Sequence, residues 1–195
     1  MKKSRPSATH PLRVAVYCSS VNTLPETWQQ AARITGDWIG RNRATLVYGG
    51  VDAGLMRVVS EATKNAGGKI VGVVPMRRLG AASPLNDMQV PTSDLNDRKG
   101  TMQLLGDVFV VLPGGYGTLD EFTTSFSYIN FTEQFSKSII LYNPDGIYDS
   151  LLDHLHKMVE LGLMQPQSMS VIKIVSNPQE LSAALDNALA AFKTL

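Results

Sequence analysis

The chain reads as an α/β protein built on a single doubly wound, mostly parallel sheet with helices on both faces. Three observations predict this. Short valine-rich apolar runs recur, segments of helical spacing alternate with them, and glycine or proline punctuates the joints. Continuous apolar runs mark strands buried on both faces, as parallel sheets are when helices cover them.

Residues 12–18 (LRVAVYC) predict the first strand, and Thr23-Leu-Pro-Glu26 reads as a capping box opening a helix that reaches Arg41. Residues 44–48 (ATLVY) predict the second strand, ending in Gly49-Gly50. A helix over 54–66 follows, stopped by Gly67-Gly68, then a third strand over 69–74 closed by Pro75. Residues 75–93 show no clear period and are expected to form a long loop, a type that is often functional or mobile. Next come a helix over 94–105, a strand over 107–112 (DVFVVL), a glycine-rich turn over 113–117 and a helix over 118–130. A strand over 138–142, an amphipathic helix over 146–161 ended by Gly162, and a strand over 171–175 lead to the last helix. Asn177, Pro178 and Glu180 supply that helix with a full start signal. The expectation is one Rossmann-like domain over residues 12–195, behind a disordered lead-in over residues 1–11.

Composition narrows the function classes. The chain has 195 residues, enough to bury about 70% of its unfolded surface without staples. Its 18 Lys plus Arg against 17 Asp plus Glu give a net charge of +1, which offers no field for a nucleic-acid backbone. Only 18% of residues are charged, below the usual ~25%, which suggests surface buried again by self-association. One cysteine, no targeting segment and no apolar run of about 18 residues lead to the expectation of a cytoplasmic protein without a membrane span.

Ligands of open α/β sheets bind beyond the carboxyl ends of the strands. Four segments fall there: Cys18-Ser19-Ser20, Tyr48-Gly49-Gly50, Asp97-Arg98-Lys99 and Pro113-Gly114-Gly115-Tyr116-Gly117-Thr118. In the last, a strand runs into glycines and then a helix, so free N–H groups and the helix dipole can hold a phosphate. The alternative is a tight turn with Thr118 and Glu121 as an ordinary capping box. Arg98 and Lys99 put two cations in the first turns of a helix, where the dipole disfavours them. Either a bound anion compensates, or Asp94 and Asp97 neutralise them. Glu121 lies one turn into the helix after the glycines; a carboxylate there suits a developing positive centre or a water to be activated. Asp120 points about 100° away from it. His154 and His156 are spaced for different helix faces and read as surface residues, and Cys18 as a buried apolar residue. Phe126, Ile129 and Phe131 read as core or subunit interface.

Together, Tyr48-Gly49-Gly50 with Gly54-Leu55-Met56, Asp97-Arg98-Lys99 with Met102, and the run from Pro113 to Glu121 (PGGYGTLDE) resemble the LOG ("lonely guy") family over nearly the whole chain. These are cytokinin riboside 5′-monophosphate phosphoribohydrolases, often mislabelled lysine decarboxylases. The resemblance implies a Rossmann-like homodimer, able to assemble further, that hydrolyses the N-glycosidic bond of adenosine 5′-monophosphate-type nucleotides, often N6-prenylated. It needs no metal or organic cofactor. Carried over by motif, Arg98 and Glu121 match the catalytic residues. Arg98, Lys99, Gly114, Gly115, Tyr116, Gly117, Thr118 and Glu121 match nucleotide-binding positions; Ser20, Gly49, Gly50 and Ser127 complete the candidate set. The chain departs from the family at Val51-Asp52, at Asn96-Asp97, at Ser127-Tyr128, and in the loop after Pro75 (MRRLGAASPLN), which lacks a substrate-contacting glutamate. Those changes bear on recognition of the base. A non-catalytic binding protein for a nucleotide or phosphorylated cofactor is the competing reading. A pyridoxal-phosphate decarboxylase is disfavoured, because no Schiff-base setting surrounds Lys64, Lys69 or Lys99.

Overall fold

A computed structural model describes residues 10–194. Most of the expected lead-in, residues 1–9, lies outside the described residues; His10 rests against Phe192, ring centroids 5.6 Å apart. Seven strands form one all-parallel sheet: β1 (Arg13–Tyr17), β2 (Thr45–Tyr48), β3 (Lys69–Pro75), β4 (Met88–Thr92), β5 (Val108–Val111), β6 (Ser138–Tyr142) and β7 (Ile172–Val175). The helices are α1 (Glu26–Arg41), α2 (Gly54–Asn65), α3 (Leu95–Leu105), α4 (Tyr116–Phe131), α5 (Asp149–Glu160) and α6 (Pro178–Lys193).

Alternate residues of the central strands feed two cores. Val14 and Val16 of β1 pack with Ile39 of α1, Val59 of α2 and Leu185 of α6 on one face. Ala15 and Tyr17 pack with Met102 of α3, Phe122 of α4 and Leu152 of α5 on the other. The strand order is β4-β3-β2-β1-β5-β6-β7. The chain therefore leaves β1 in one direction and returns to its other side at β5. The carboxyl ends of β1 and β5 flank the switch point, where ligands of such sheets bind.

Four local expectations need correction. The stretch read as a long loop contains β4 and a 3-10 turn, Met76–Ala81, so the sheet has a seventh strand at its edge. The helix after the first strand begins at Glu26 behind Pro25, and Thr23 caps nothing there. The helix after the glycines begins at Tyr116, two residues early, so Thr118 sits inside the first turn and the Thr118–Glu121 capping box does not form. The amphipathic helix begins at Asp149, because Pro144–Gly146 forms a separate 3-10 turn. At Asn177 the start signal works as read, its side chain accepting from Glu180 N at 2.9 Å. His154 and His156 are exposed on α5, and Cys18 is buried. Phe126 and Ile129 are core residues, whereas Phe131 is 90% exposed.

Candidate functional site

The site begins with how α3 starts. Asp94 caps the helix, accepting from Asn96 N at 2.8 Å and Asp97 N at 2.9 Å, and Asp97 accepts from Ser93 N at 2.8 Å. That backbone bond holds the Asp97 carboxyl below the usual range. Both acids are thus committed to the helix start, and neither neutralises Arg98 or Lys99. The two cations reach instead to the adjacent carboxylates of α4. Arg98 Nη1 donates to Glu121 Oε1 at 2.8 Å, and Lys99 Nζ donates to both oxygens of Asp120 at 2.8 Å. Successive helix residues point about 100° apart, so one pair turns inward and the other outward. Arg98 and Glu121 are nearly buried, whereas Asp120 is half exposed.

Arg98 is also tied to the sheet. Its Nε donates to the carbonyl of Val73 on β3 at 3.0 Å. The guanidinium lies directly over Gly49 at the end of β2, where a Cβ would come within 2.1 Å of Nη2. Glycine is required at 49 because the guanidinium takes the space a side chain would use. Gly50 serves a different purpose: its φ of +72° turns the chain, and its carbonyl accepts from Ser83 N at 2.7 Å and Asn86 Nδ2 at 3.1 Å.

The glycine turn after β5 divides in the same way. A Cβ on Gly114 would lie 2.1 Å from Thr118 Oγ1, so packing demands that glycine. Around Gly115 and Gly117 there is open space to 4 Å, and neither has positive φ. The fold does not require glycine at either position. The first N–H of α4 bonded within the helix is that of Leu119, on Gly115 O at 3.0 Å. The N–H groups of Tyr116, Gly117 and Thr118 precede it, at the positive end of the helix dipole.

Burial pushes the Glu121 carboxyl up to about 7, against the opposing pull of Arg98. The carboxylate therefore changes charge near neutrality. Behind it, the Tyr17 hydroxyl and Ser125 Oγ share a 2.8 Å hydrogen bond, and burial raises the Tyr17 and Cys18 groups far above their ordinary values.

A cavity of about 370 Å³ lies at the switch point. Of the candidate residues, Ser20, Gly49, Arg98, Gly115, Tyr116, Gly117, Thr118 and Glu121 line it. Gly50, Lys99, Gly114 and Ser127 do not: Gly50 and Gly114 support turns, Lys99 faces Asp120, and Ser127 is exposed on α4. Asp52, one of the departures, is held by Arg57 Nε at 2.9 Å. Sequence reasoning did not single out Arg77 and Arg78, which line the cavity from the turn beyond β3. Two consecutive arginines one residue beyond a strand's carboxyl end were the available signal.

The family model described as "Possible lysine decarboxylase" matches residues 56–185. The probable cytokinin riboside 5′-monophosphate phosphoribohydrolase LOGL2 of Oryza sativa subsp. japonica is 34% identical over 177 residues, covering 89% of this chain and 72% of that protein. Cytokinin riboside 5′-monophosphate phosphoribohydrolase LOG7 of Arabidopsis thaliana is 33% identical, covering 89% and 81%. Among solved structures, the molybdenum cofactor binding protein of Rippkaea orientalis superposes with a TM-score of 0.70 at 23% identity, covering 92% and 98%. The molybdenum cofactor carrier protein of Chlamydomonas reinhardtii gives a TM-score of 0.71 at 19% identity, covering 93% and 99%. At those identities the likeness is one of fold. By the family model and by relatives matched over most of their length, the chain belongs to the LOG family.

Proposed function

We propose that the chain hydrolyses the N-glycosidic bond of purine nucleoside 5′-monophosphates, adenosine 5′-monophosphate and its N6-substituted forms among them, to free base and ribose 5-phosphate. The relatives named as phosphoribohydrolases support the reaction class. One observation carries it here: the buried carboxylate of Glu121 lines the same cavity as the open N-terminus of α4.

The 5′-phosphate rests on the N–H groups of Tyr116, Gly117 and Thr118, which places the sugar beside Glu121. As C1′–N9 breaks, its electron pair leaves with the base and the ring oxygen shares the positive charge, as in glycoside hydrolysis. Ionised Glu121 stabilises that charge and takes a proton from the attacking water. The water oxygen bonds to C1′, and the proton passes to the departing base. Arg98, whose guanidinium carries donors only, orients Glu121 and the nucleotide oxygens. The low charge content and the exposed Phe131 support the homodimeric or higher assembly that the family resemblance implies, which sedimentation would test.

Chromatography of adenosine 5′-monophosphate incubated with the protein tests the reaction: free adenine is expected, and full activity in Glu121→Gln would discard the assigned role. The second reading, a non-catalytic nucleotide-binding protein, is favoured by Val51, which lines the cavity at a position where the family usually has glycine. A mononucleotide that protects the fold from heat yet stays intact decides for it.

A further inference from the structure

Among the described residues, the charged side chains that line the cavity are Arg77, Arg78, Arg98 and Glu121. Arg98 and Glu121 cancel each other through their 2.8 Å contact. Each acid next in sequence to a lining residue is engaged elsewhere. Asp52 pairs with Arg57 at 2.9 Å and Asp120 with Lys99 at 2.8 Å, while Asp94 and Asp97 accept from backbone N–H groups at the start of α3. Arg77 and Arg78 are exposed on the 3-10 turn beyond β3, and among the described residues neither forms an ion pair. Their two charges are therefore not offset at the cavity, on a chain whose net charge is only +1.

We propose that Arg77 and Arg78 supply the field that draws a doubly charged phosphate ester into the cavity, an inference that deepens the phosphoribohydrolase reading above. Their task is capture of the nucleotide; the bond-breaking step belongs to Glu121. In the sheet β3 and β5 are three strand intervals apart, which at about 4.8 Å per interval separates the turns beyond them by roughly 14 Å. Charges that far apart act through the field, and salt decides its reach. The screening length is about 30 Å at 0.01 M ionic strength and about 8 Å at 0.15 M, so the attraction spans the cavity in the first case and fades within it in the second. Val51, Met56 and Leu95 are apolar walls, which focus field lines along the cavity. A guanidinium keeps its charge whatever the buffer, so this attraction is independent of the ionisation of Glu121.

The test has two readouts on the full chain, each taken at about 0.01 M and about 0.15 M ionic strength. One is kcat/KM for adenosine 5′-monophosphate, read as base release. The other is the affinity for ribose 5-phosphate by calorimetry, which needs no turnover. Arg77→Gln/Arg78→Gln is expected to lower both by roughly 3- to 10-fold at the lower ionic strength and by less than about 2-fold at the higher, the effect of two charges facing a dianion at that range. Arg77→Lys/Arg78→Lys, which keeps the charges and loses the planar fork, recovers the wild-type salt dependence. Arg77→Glu/Arg78→Glu reverses its sign, so that binding tightens as salt is added. Both arginines are exposed, so none of these changes opens the core. One salt dependence shared by wild type and the glutamine and glutamate pairs overturns the field, and base release in that case leaves the hydrolase reading standing. A lysine pair that behaves like the glutamine pair overturns it too, because shape rather than charge is then what is lost. Ribose 5-phosphate affinity that follows the charge at 77 and 78, with no base released, overturns the hydrolase reading and leaves the field. Absence of both cleavage and ribose 5-phosphate binding overturns both.

Discussion

Arg98 and Glu121, 23 residues apart in the chain, meet through a 2.8 Å hydrogen bond from Nη1 to Oε1, and the same guanidinium is anchored by its Nε to the carbonyl of Val73 at 3.0 Å. The carboxylate is thus held at the cavity from three sides: by its own helix, by the arginine, and through the arginine by the sheet. Replacing the carboxylate keeps this scaffold and removes the charge. Glu121→Gln is expected to lower kcat by about 10²-fold or more, with a smaller change in KM. Steady-state kinetics on a purine nucleoside 5′-monophosphate check this.

Acidity at Glu121 sets a pH profile. Burial raises the group from an ordinary 4.5 to about 7, and the ionised form does the proposed work. The kcat/KM profile of the free enzyme should therefore fall as pH drops through about 7, with unit slope. A rate that stays flat down to pH 5 assigns the base role elsewhere.

The same shift leaves a mark on stability. The folded pKa is raised, so the contribution of Glu121 is fully present below the unfolded value near 4.5 and is lost as pH rises through about 7. The size of the shift corresponds to roughly 3 kcal/mol. Between pH 5 and 8, wild type should lose more melting temperature than Glu121→Gln, which thermal unfolding at matched ionic strength measures.

Gly49 tests whether the position of Arg98 matters. A Cβ at this residue would lie 2.1 Å from Arg98 Nη2 and 3.0 Å from Met56 Sδ. Gly49→Ala displaces the guanidinium from its seat, and misplacement by about an ångström costs on the order of 10²-fold in rate. Activity assays beside circular dichroism separate this loss from a folding defect.

Gly117 separates fold from ligand. No atom lies within 4 Å of a Cβ built there, and the residue is in the first turn of α4. Gly117→Ala should leave the fold as stable or raise it by up to about 1 kcal/mol. It should also raise KM roughly 10-fold, because the methyl group stands where the phosphate approaches the N–H groups. A variant with raised melting temperature and unchanged KM contradicts phosphate binding at this turn.

How far the sequence carries is visible in particular elements. The central strands are legible because each is buried on both faces, so runs such as VFVV at 108–111 are continuously apolar. β4 was not legible for the opposite reason. It is an edge strand paired on one side, mostly exposed, and it carries Pro91, which the edge of a sheet tolerates and a central strand does not. Within the candidate site, Glu121, Arg98 and the glycine turn were legible because each sits in a local pattern with chemical meaning. Their mutual contact was not, since it depends on β3, β5 and two helices converging on one point. Asp94 and Asp97 were available as neutralising partners for Arg98 and Lys99; only the hydrogen bonds at the start of α3 show that capping takes both.

The most direct test incubates purified protein with adenosine, guanosine and inosine 5′-monophosphates and measures free base and ribose 5-phosphate together, for wild type and Glu121→Gln. Equimolar base and ribose 5-phosphate from wild type, reduced about 10²-fold or more in the variant, is the result expected. Nucleotides recovered intact from wild type, or equal turnover by both proteins, would contradict a hydrolase centred on Glu121.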